Sequence, residues 1–292
     1  MHPAPSIIAF TTLSGAGFGL LFWLALGFPA VTGLAAFLWF ALAYLLAVGG
    51  LAASALHLGN PQRALLAFSQ WRSSWLSREA CLSVAALLVM AVYGAALVFW
   101  GQRLRAFGWP GAVLCLATVF ATSMIYAQLK TVPRWNHWAT PALFLVLALA
   151  GGATLAGVTR IGMPLLLASG ALQLVVWHLG DRRFARRGST MATATGLGAI
   201  GTLRQFSPPH TGPNYLLKEM VYRVARKHAL RLRALSLLFM ALLPAVLLVL
   251  APGAMAIALA ALCHLAGVLA SRWLFFAEAE HVVGLYYGAA PK

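Results

Sequence analysis

Between two apolar stretches, the segment His57-Leu-Gly-Asn-Pro-Gln-Arg63 and its continuation to Glu79 gathers His57, Arg63, Arg72, Arg78 and Glu79. The 56 residues before it hold no Lys, Arg, Asp or Glu, and the segment after it is apolar for more than twenty residues. An imidazole and a carboxylate at one depth of a membrane edge can donate, accept and relay protons, and ionisable groups at membrane depth are costly and tend to be functional. Each also has a plainer reading. His57 closes an apolar segment ahead of Gly59 and Pro61, where an imidazole complements a helix C-terminus. Ser77 can cap the next helix, with Glu79 in its first turn favoured by the dipole.

Composition dictates what must position these groups. The chain is 62% hydrophobic and 9% charged. Apolar runs of about 20 residues recur along its whole length, each long enough to cross the hydrocarbon as a helix. Uninterrupted apolar runs exclude the alternation of a membrane barrel, so the expected class is an all-α polytopic membrane protein, one integral-membrane domain over residues 1–292. Eight spans are expected, over 6–27, 33–56, 80–101, 109–128, 138–158, 162–180, 234–251 and 254–276. Connections such as Phe28-Pro-Ala-Val31 and Ala251-Pro-Gly-Ala254 are short enough to make neighbours antiparallel. The first segment lacks a basic leader and runs straight into the second span, unlike a cleaved signal peptide.

Eight spans put both termini on one side, together with the loops 57–79, 129–137 and 181–233. That side carries 18 of the 21 Lys and Arg; Arg103, Arg105 and Arg160 lie on the other. The positive-inside rule makes the basic side cytoplasmic, in a bacterial inner membrane. The same asymmetry accounts for the net charge of +16 without nucleic acid, and suits anionic lipid or an acidic partner.

The remaining motifs are weaker. Cys81, Cys115 and Cys263 fall one per span without metal-site spacing, and read as buried small hydrophobes. Gly196-Leu-Gly-Ala-Ile-Gly201 matches GxGxxG, but no strand precedes it, so a dinucleotide site is rejected. Asp181 opens a basic run through Arg187. Within the cytoplasmic loop 181–233, residues 215–233 alternate apolar positions with Lys218, Arg223, Arg226 and Lys227 at helical spacing. This predicts an amphipathic basic helix that lies on lipid or docks a peripheral partner, with Arg72 on the same face.

Chemically, His57 and Glu79 are the partners a quinone needs, since its reduction takes two electrons and two protons and its carbonyl oxygens need hydrogen-bond donors. Arg63 either orients the head group or anchors the loop. Haem b is the competing reading, drawing on His57, His178 or His264, but His264 has no obvious partner at its depth and a pair from His57 and His178 would lie at the interface. A transporter is another, although no internal repeat is visible.

Several stretches carry a resemblance: Met1-His-Pro-Ala-Pro-Ser-Ile-Ile-Ala-Phe-Thr-Thr-Leu-Ser-Gly-Ala-Gly17, His57-Leu-Gly-Asn-Pro-Gln-Arg63, Ser77-Arg-Glu79, Asn214-Tyr-Leu-Leu-Lys-Glu-Met220, Arg226-Lys-His-Ala229 and Arg272-Trp-Leu-Phe-Phe-Ala-Glu-Ala-Glu-His-Val282. Over nearly its whole length the sequence resembles the DmsC family, the membrane anchors of dimethyl sulfoxide reductase-type complexes. The resemblance implies eight helices, no haem and no metal centre in this chain. It implies partners too: a molybdopterin catalytic subunit and a ferredoxin-like four-cluster iron–sulfur subunit. It further implies that His57 and Glu79 serve a quinone site, with Gly59 and Arg63 around it. Because nothing in the chain would carry electrons across the bilayer, the quinone must meet the partner's terminal cluster on the His57/Glu79 side. The charge count makes that side cytoplasmic, whereas the respiratory reductases are generally exported. The sequence is therefore read as most similar to the SoeC-type anchors of cytoplasmic sulfite-oxidising complexes, passing electrons from sulfite to membrane ubiquinone or menaquinone. The alternative is an anchor that oxidises quinol for a sulfoxide or N-oxide reductase.

Overall fold

The computed structural model describes residues 1–56, 60–207, 212, 216, 220, 228–250 and 253–287. Among these residues every regular element is helical. The long helices are α1 (Pro5–Ala25), α2 (Gly33–Ala55), α3 (Trp75–Phe99), α4 (Arg105–Ala127), α5 (Ala139–Leu155) and α6 (Thr159–Arg186). After a short α7 (Met191–Thr195) come α8 (Ala229–Leu250) and α9 (Ala254–Ala277). Seven of the described helices are long and apolar enough to cross a membrane; α5, at 17 residues, falls short of that length, where the sequence predicts an eighth span.

Two boundaries differ instructively from expectation. α6 runs on through Arg186, so Asp181 stands on a helix rather than opening a loop. α8 begins at Ala229, so Arg231 and Arg233 belong to the helix that enters the apolar layer. Polar residues at both ends continue an α-helical ladder that solvent need not interrupt, and hydropathy alone ends the span too early. Lys218, Arg223, Arg226 and Lys227, which carry the expected surface helix, lie outside the described residues, as do His57 and Gly59.

α1 is the hub of the bundle and packs against α2, α4 and α5. Small residues permit this. A Cβ on Gly19 would meet the carbonyl oxygen of Ala148 at 1.9 Å, and one on Gly152 the backbone of Gly19 at 2.2 Å, so only glycine lets α1 and α5 approach this closely. Such contacts suit a bilayer, where helix association rests on close backbone packing rather than on hydrophobic burial. α2 lies outside. Its buried residues, Ala36, Phe40, Ala43, Ala47 and Gly50, form one narrow stripe toward α1 and α3, with Phe40 against Tyr93, and the rest of its surface is largely exposed.

The first residue meets the segment that follows α9. The N-terminal amine donates to the carbonyl oxygen of Ala279 at 2.7 Å, and the amide of Val282, beyond α9, donates to Thr131 in the α4–α5 connection at 3.0 Å. The start of α1, the end of α4 and the end of α9 thus share one end of the bundle. At the other end, the α1–α2 turn lies against the side chain of Arg103.

Candidate functional site

The segment after α2 is built to hold the start of α3. Pro61–Phe68 forms a 3-10 helix that leaves Arg63 exposed, beside Leu65 and Leu66, which are also exposed. Arg72 is exposed too, its guanidinium 5.5 Å from the Trp71 ring centre. Arg78 clasps the turn: it donates from Nε to the carbonyl oxygen of Trp71 at 3.0 Å and from Nη2 to that of Arg72 at 2.6 Å, over the Trp75 ring. The sequence alone assigns Arg78 no such role, and the signal for it is a position one turn into an apolar helix.

α3 is capped by Ser74, whose hydroxyl accepts from the Ser77 amide, and not by Ser77 as predicted. The helix therefore starts earlier, and Glu79 lies past the first turn, so dipole complementarity does not explain it. Its side chain points inward: Glu79 is 5% exposed and accepts a hydrogen bond from Thr122 Oγ1 of α4 at 2.9 Å. The same Thr122 hydroxyl lies 3.0 Å from the carbonyl oxygen of Thr118. The Tyr126 hydroxyl, one helical turn on, is within electrostatic reach of both Glu79 and Arg272. The distance from Glu79 to His57 lies outside the described residues.

Arg272 departs from expectation most. The charge count assigns it to the basic face, yet it is 2% exposed, inside the bundle on α9, with its guanidinium 3.5 Å from the centre of the Phe144 ring. Its position five residues before the end of α9 explains the difference. The side chain turns into the bundle between α5 and α9 instead of extending toward water. About two turns deeper, His264 is buried as well, its Nδ1 2.6 Å from the carbonyl oxygen of Met240 and its ring also near the Leu147 backbone. The Met240 carbonyl belongs to a π-helical turn of α8, Leu238–Leu242. Such a turn breaks the regular ladder and re-aims backbone groups, often at functional sites. Of the cysteines, all free, Cys115 is buried as predicted, while Cys81 and Cys263 are only partly so. Gly196 of the GxGxxG match terminates α7 with φ of 70°, and among the described residues no strand stands before it.

A second charged group lies at the same end of the bundle. Arg134 bonds Asp181 at 2.8 Å and Glu278 at 2.6 Å; Arg233 bonds Asp181 at 2.7 Å and Glu278 at 2.8 Å. This closed ring of two cations and two anions ties the α4–α5 connection, α6, α8 and the end of α9 together.

Comparison with known proteins gives this geometry its context. The family model for "DMSO reductase anchor subunit (DmsC)" matches residues 1–177. The chain belongs to the DmsC family. It is also 33% identical to the C-subunit of the sulfite dehydrogenase of Allochromatium vinosum, over 98% of this chain and 99% of that protein. No solved structure matches. The protein is thus a multi-pass membrane anchor subunit, which by its family holds catalytic and electron-transfer partners at the membrane, and its α3 presents a buried carboxylate at the end of the bundle where α1 starts and α9 finishes.

Proposed function

We propose that this chain is the quinone-reactive anchor of a sulfite-oxidising molybdopterin/iron–sulfur oxidoreductase in the bacterial inner membrane. The observation that carries the reading is Glu79, a carboxylate held inside the bundle by Thr122 at the membrane edge of a chain similar along its whole length to a sulfite dehydrogenase component. α5 is read as an eighth crossing. A first helix that starts, and a last helix that finishes, at one end of the bundle require an even number of crossings, and seven long helices need α5 to complete it. With the positive side inward, both termini, Glu79 and the His57 segment are cytoplasmic.

In this reading the partner subunits supply molybdopterin and iron–sulfur clusters, no haem is held here, and sulfite with water yields sulfate, two protons and two electrons. Quinone takes the two electrons together with two protons to become quinol. His57 and Glu79 hydrogen-bond the carbonyl oxygens and deliver the protons, with Gly59 letting the chain approach closely and Arg63 orienting the head group. Arg72, Lys218, Arg223, Arg226 and Lys227 present positive charge to the iron–sulfur subunit. The second reading runs the same pocket backwards, oxidising quinol for a reductase, and is supported by the description of the family.

The test is quinone reduction by the purified complex with sulfite as donor. Sulfite-dependent reduction that falls by about 10²-fold or more in Glu79→Gln and His57→Ala, with the complex still assembled, supports the reading. Wild-type rates in both variants defeat the site assignment. Quinol-dependent sulfoxide or N-oxide reduction without sulfite activity selects the second reading.

A further inference from the structure

Behind Glu79 the bundle holds a small cavity, with polar side chains among its mainly apolar walls, that no part of the quinone chemistry above uses. It lies among α1, α4, α5 and α9, has a volume of about 20 Å³, and its walls include Thr12, Thr122, His264 and Arg272. Three of these four carry buried atoms with no hydrogen-bond partner among the described residues: Thr12 Oγ1, His264 Nε2, and Nε and Nη1 of Arg272. Unsatisfied polar atoms are scarce in protein interiors because each loses its solvation, so several on one small cavity call for a common partner.

The chemistry of the walls specifies that partner. Arg272 can only donate. His264 Nδ1 faces the Met240 carbonyl oxygen, which can only accept, so Nδ1 carries the proton and Nε2 of the neutral ring is an acceptor. The Thr12 hydroxyl does both. Whatever fills the chamber must accept from a guanidinium at one place and donate to an imidazole nitrogen at another, which water does and an anion does not. The volume matches about one or two water molecules. Thr122 then links this water to the site. Its one proton has two acceptors in reach, Glu79 at 2.9 Å and the Thr118 carbonyl oxygen at 3.0 Å; when it is turned to Glu79, the hydroxyl's lone pairs are left to accept a hydrogen bond from the chamber.

We propose that the chamber is an internal water site through which Arg272 acts on Glu79. The Arg272 cation orients the water, the water donates to Thr122, and Thr122 donates to Glu79. The chain of aligned dipoles stabilises the carboxylate that forms whenever Glu79 gives up a proton. Arg272 is a positioning residue, and the inference rests on the reading of Glu79 as the proton donor.

Two experiments test it on the intact complex. The first is a density map of the complex that shows ordered water. A peak within hydrogen-bonding distance of Arg272 Nη1 and Thr12 Oγ1 is expected, and an empty chamber overturns the proposal. The second is Thr12→Val, which keeps shape but removes one partner of the water. Quinone reduction should slow about tenfold, the rate equivalent of one hydrogen bond, and thermal stability should fall. In a dry chamber the same change removes an unsatisfied hydroxyl and stabilises the protein. Arg272→Met should slow the reaction further and Arg272→Lys restore part of the rate. If Arg272→Met does not assemble, Thr12→Val decides alone. Unaltered turnover in Thr12→Val overturns the coupling even where water is seen. Normal turnover in Glu79→Gln, by contrast, defeats the assignment of the site and leaves the water peak standing.

Discussion

Two groups of buried or half-buried ions lie near the same end of this bundle, and they are finished differently. In the ring of Arg134, Asp181, Arg233 and Glu278, each cation meets both anions at 2.6 to 2.8 Å. In the chamber behind Glu79, the cation Arg272 leaves Nε and Nη1 without a partner among the described residues, and the carboxylate is met by one hydroxyl. A satisfied ring fixes four chain segments in one arrangement, each charge meeting two of the opposite sign. The chamber keeps its hydrogen-bonding capacity unspent, at a cost in stability that folding alone does not require. We take the first as a structural clamp and the second as part of the working site.

If that contrast is right, breaking the ring should cost stability and not chemistry. Glu278→Gln removes the anion whose side chain is only 8% exposed and leaves two guanidinium groups to share Asp181 as their one remaining anion. The loss should be about 2 to 3 kcal/mol, below the range for a fully buried pair because Arg134 and Arg233 keep some contact with water. The check is the thermal unfolding midpoint of the complex, alongside quinone turnover per assembled complex below that midpoint. A collapse of turnover at unchanged stability would place the ring in the reaction and dissolve the comparison. Asp181→Asn probes the outer side of the ring, where the side chain is 44% exposed. Water replaces most of what is lost there, so the expected cost is under about 1 kcal/mol, read in the same melting experiment. An effect as large as that of Glu278→Gln would mean that the ring acts as one indivisible network.

How much of this was legible from the amino-acid sequence follows from where each signal resides. The spans are written locally, in runs of apolar residues, and the helices lie where the runs are. Glu79 was legible because a carboxylate heading an apolar run is rare. The chamber was not, since Thr12, Thr122, His264 and Arg272 come from α1, α4 and α9, far apart in the chain, and a lone Thr in a membrane helix usually bonds its own backbone, as Thr11 does here. Arg272 did carry a signal. It stands inside the expected last span, but so near its end that a side chain reaching the interface explains it equally well. Only packing against Phe144 distinguishes the two. The ring was half legible: its charges could be counted, but their pairing depends on α6 and α8 extending beyond their apolar runs, which hydropathy does not register.

The smallest expected effect concerns the latch beside the ring, where His281 follows Glu278 and Glu280. Its Nδ1 accepts from the Val283 amide at 3.0 Å, which only a ring unprotonated at that nitrogen can do. Burial, and then the nearby N-terminal amine, hold its pKa below the ordinary histidine value. A histidine with a depressed pKa is stabilised in its neutral form when folded. Its contribution is therefore fully present above the unfolded-state value of about 6.5 and is lost as pH falls through the folded one. Acidification should then release the Val283 amide and loosen the contact of Met1 with Ala279, at a cost of under about 1 kcal/mol because the ring is only half-buried. Amide hydrogen exchange at Val283, corrected for its intrinsic pH dependence, should lose protection as pH falls below about 6.5, and a His281→Asn variant should not show that loss. Protection unchanged across that range would mean that the latch is held by the backbone contacts alone, Val282 to Thr131 and Met1 to Ala279. The clamp would then owe nothing at this end to a titrating group.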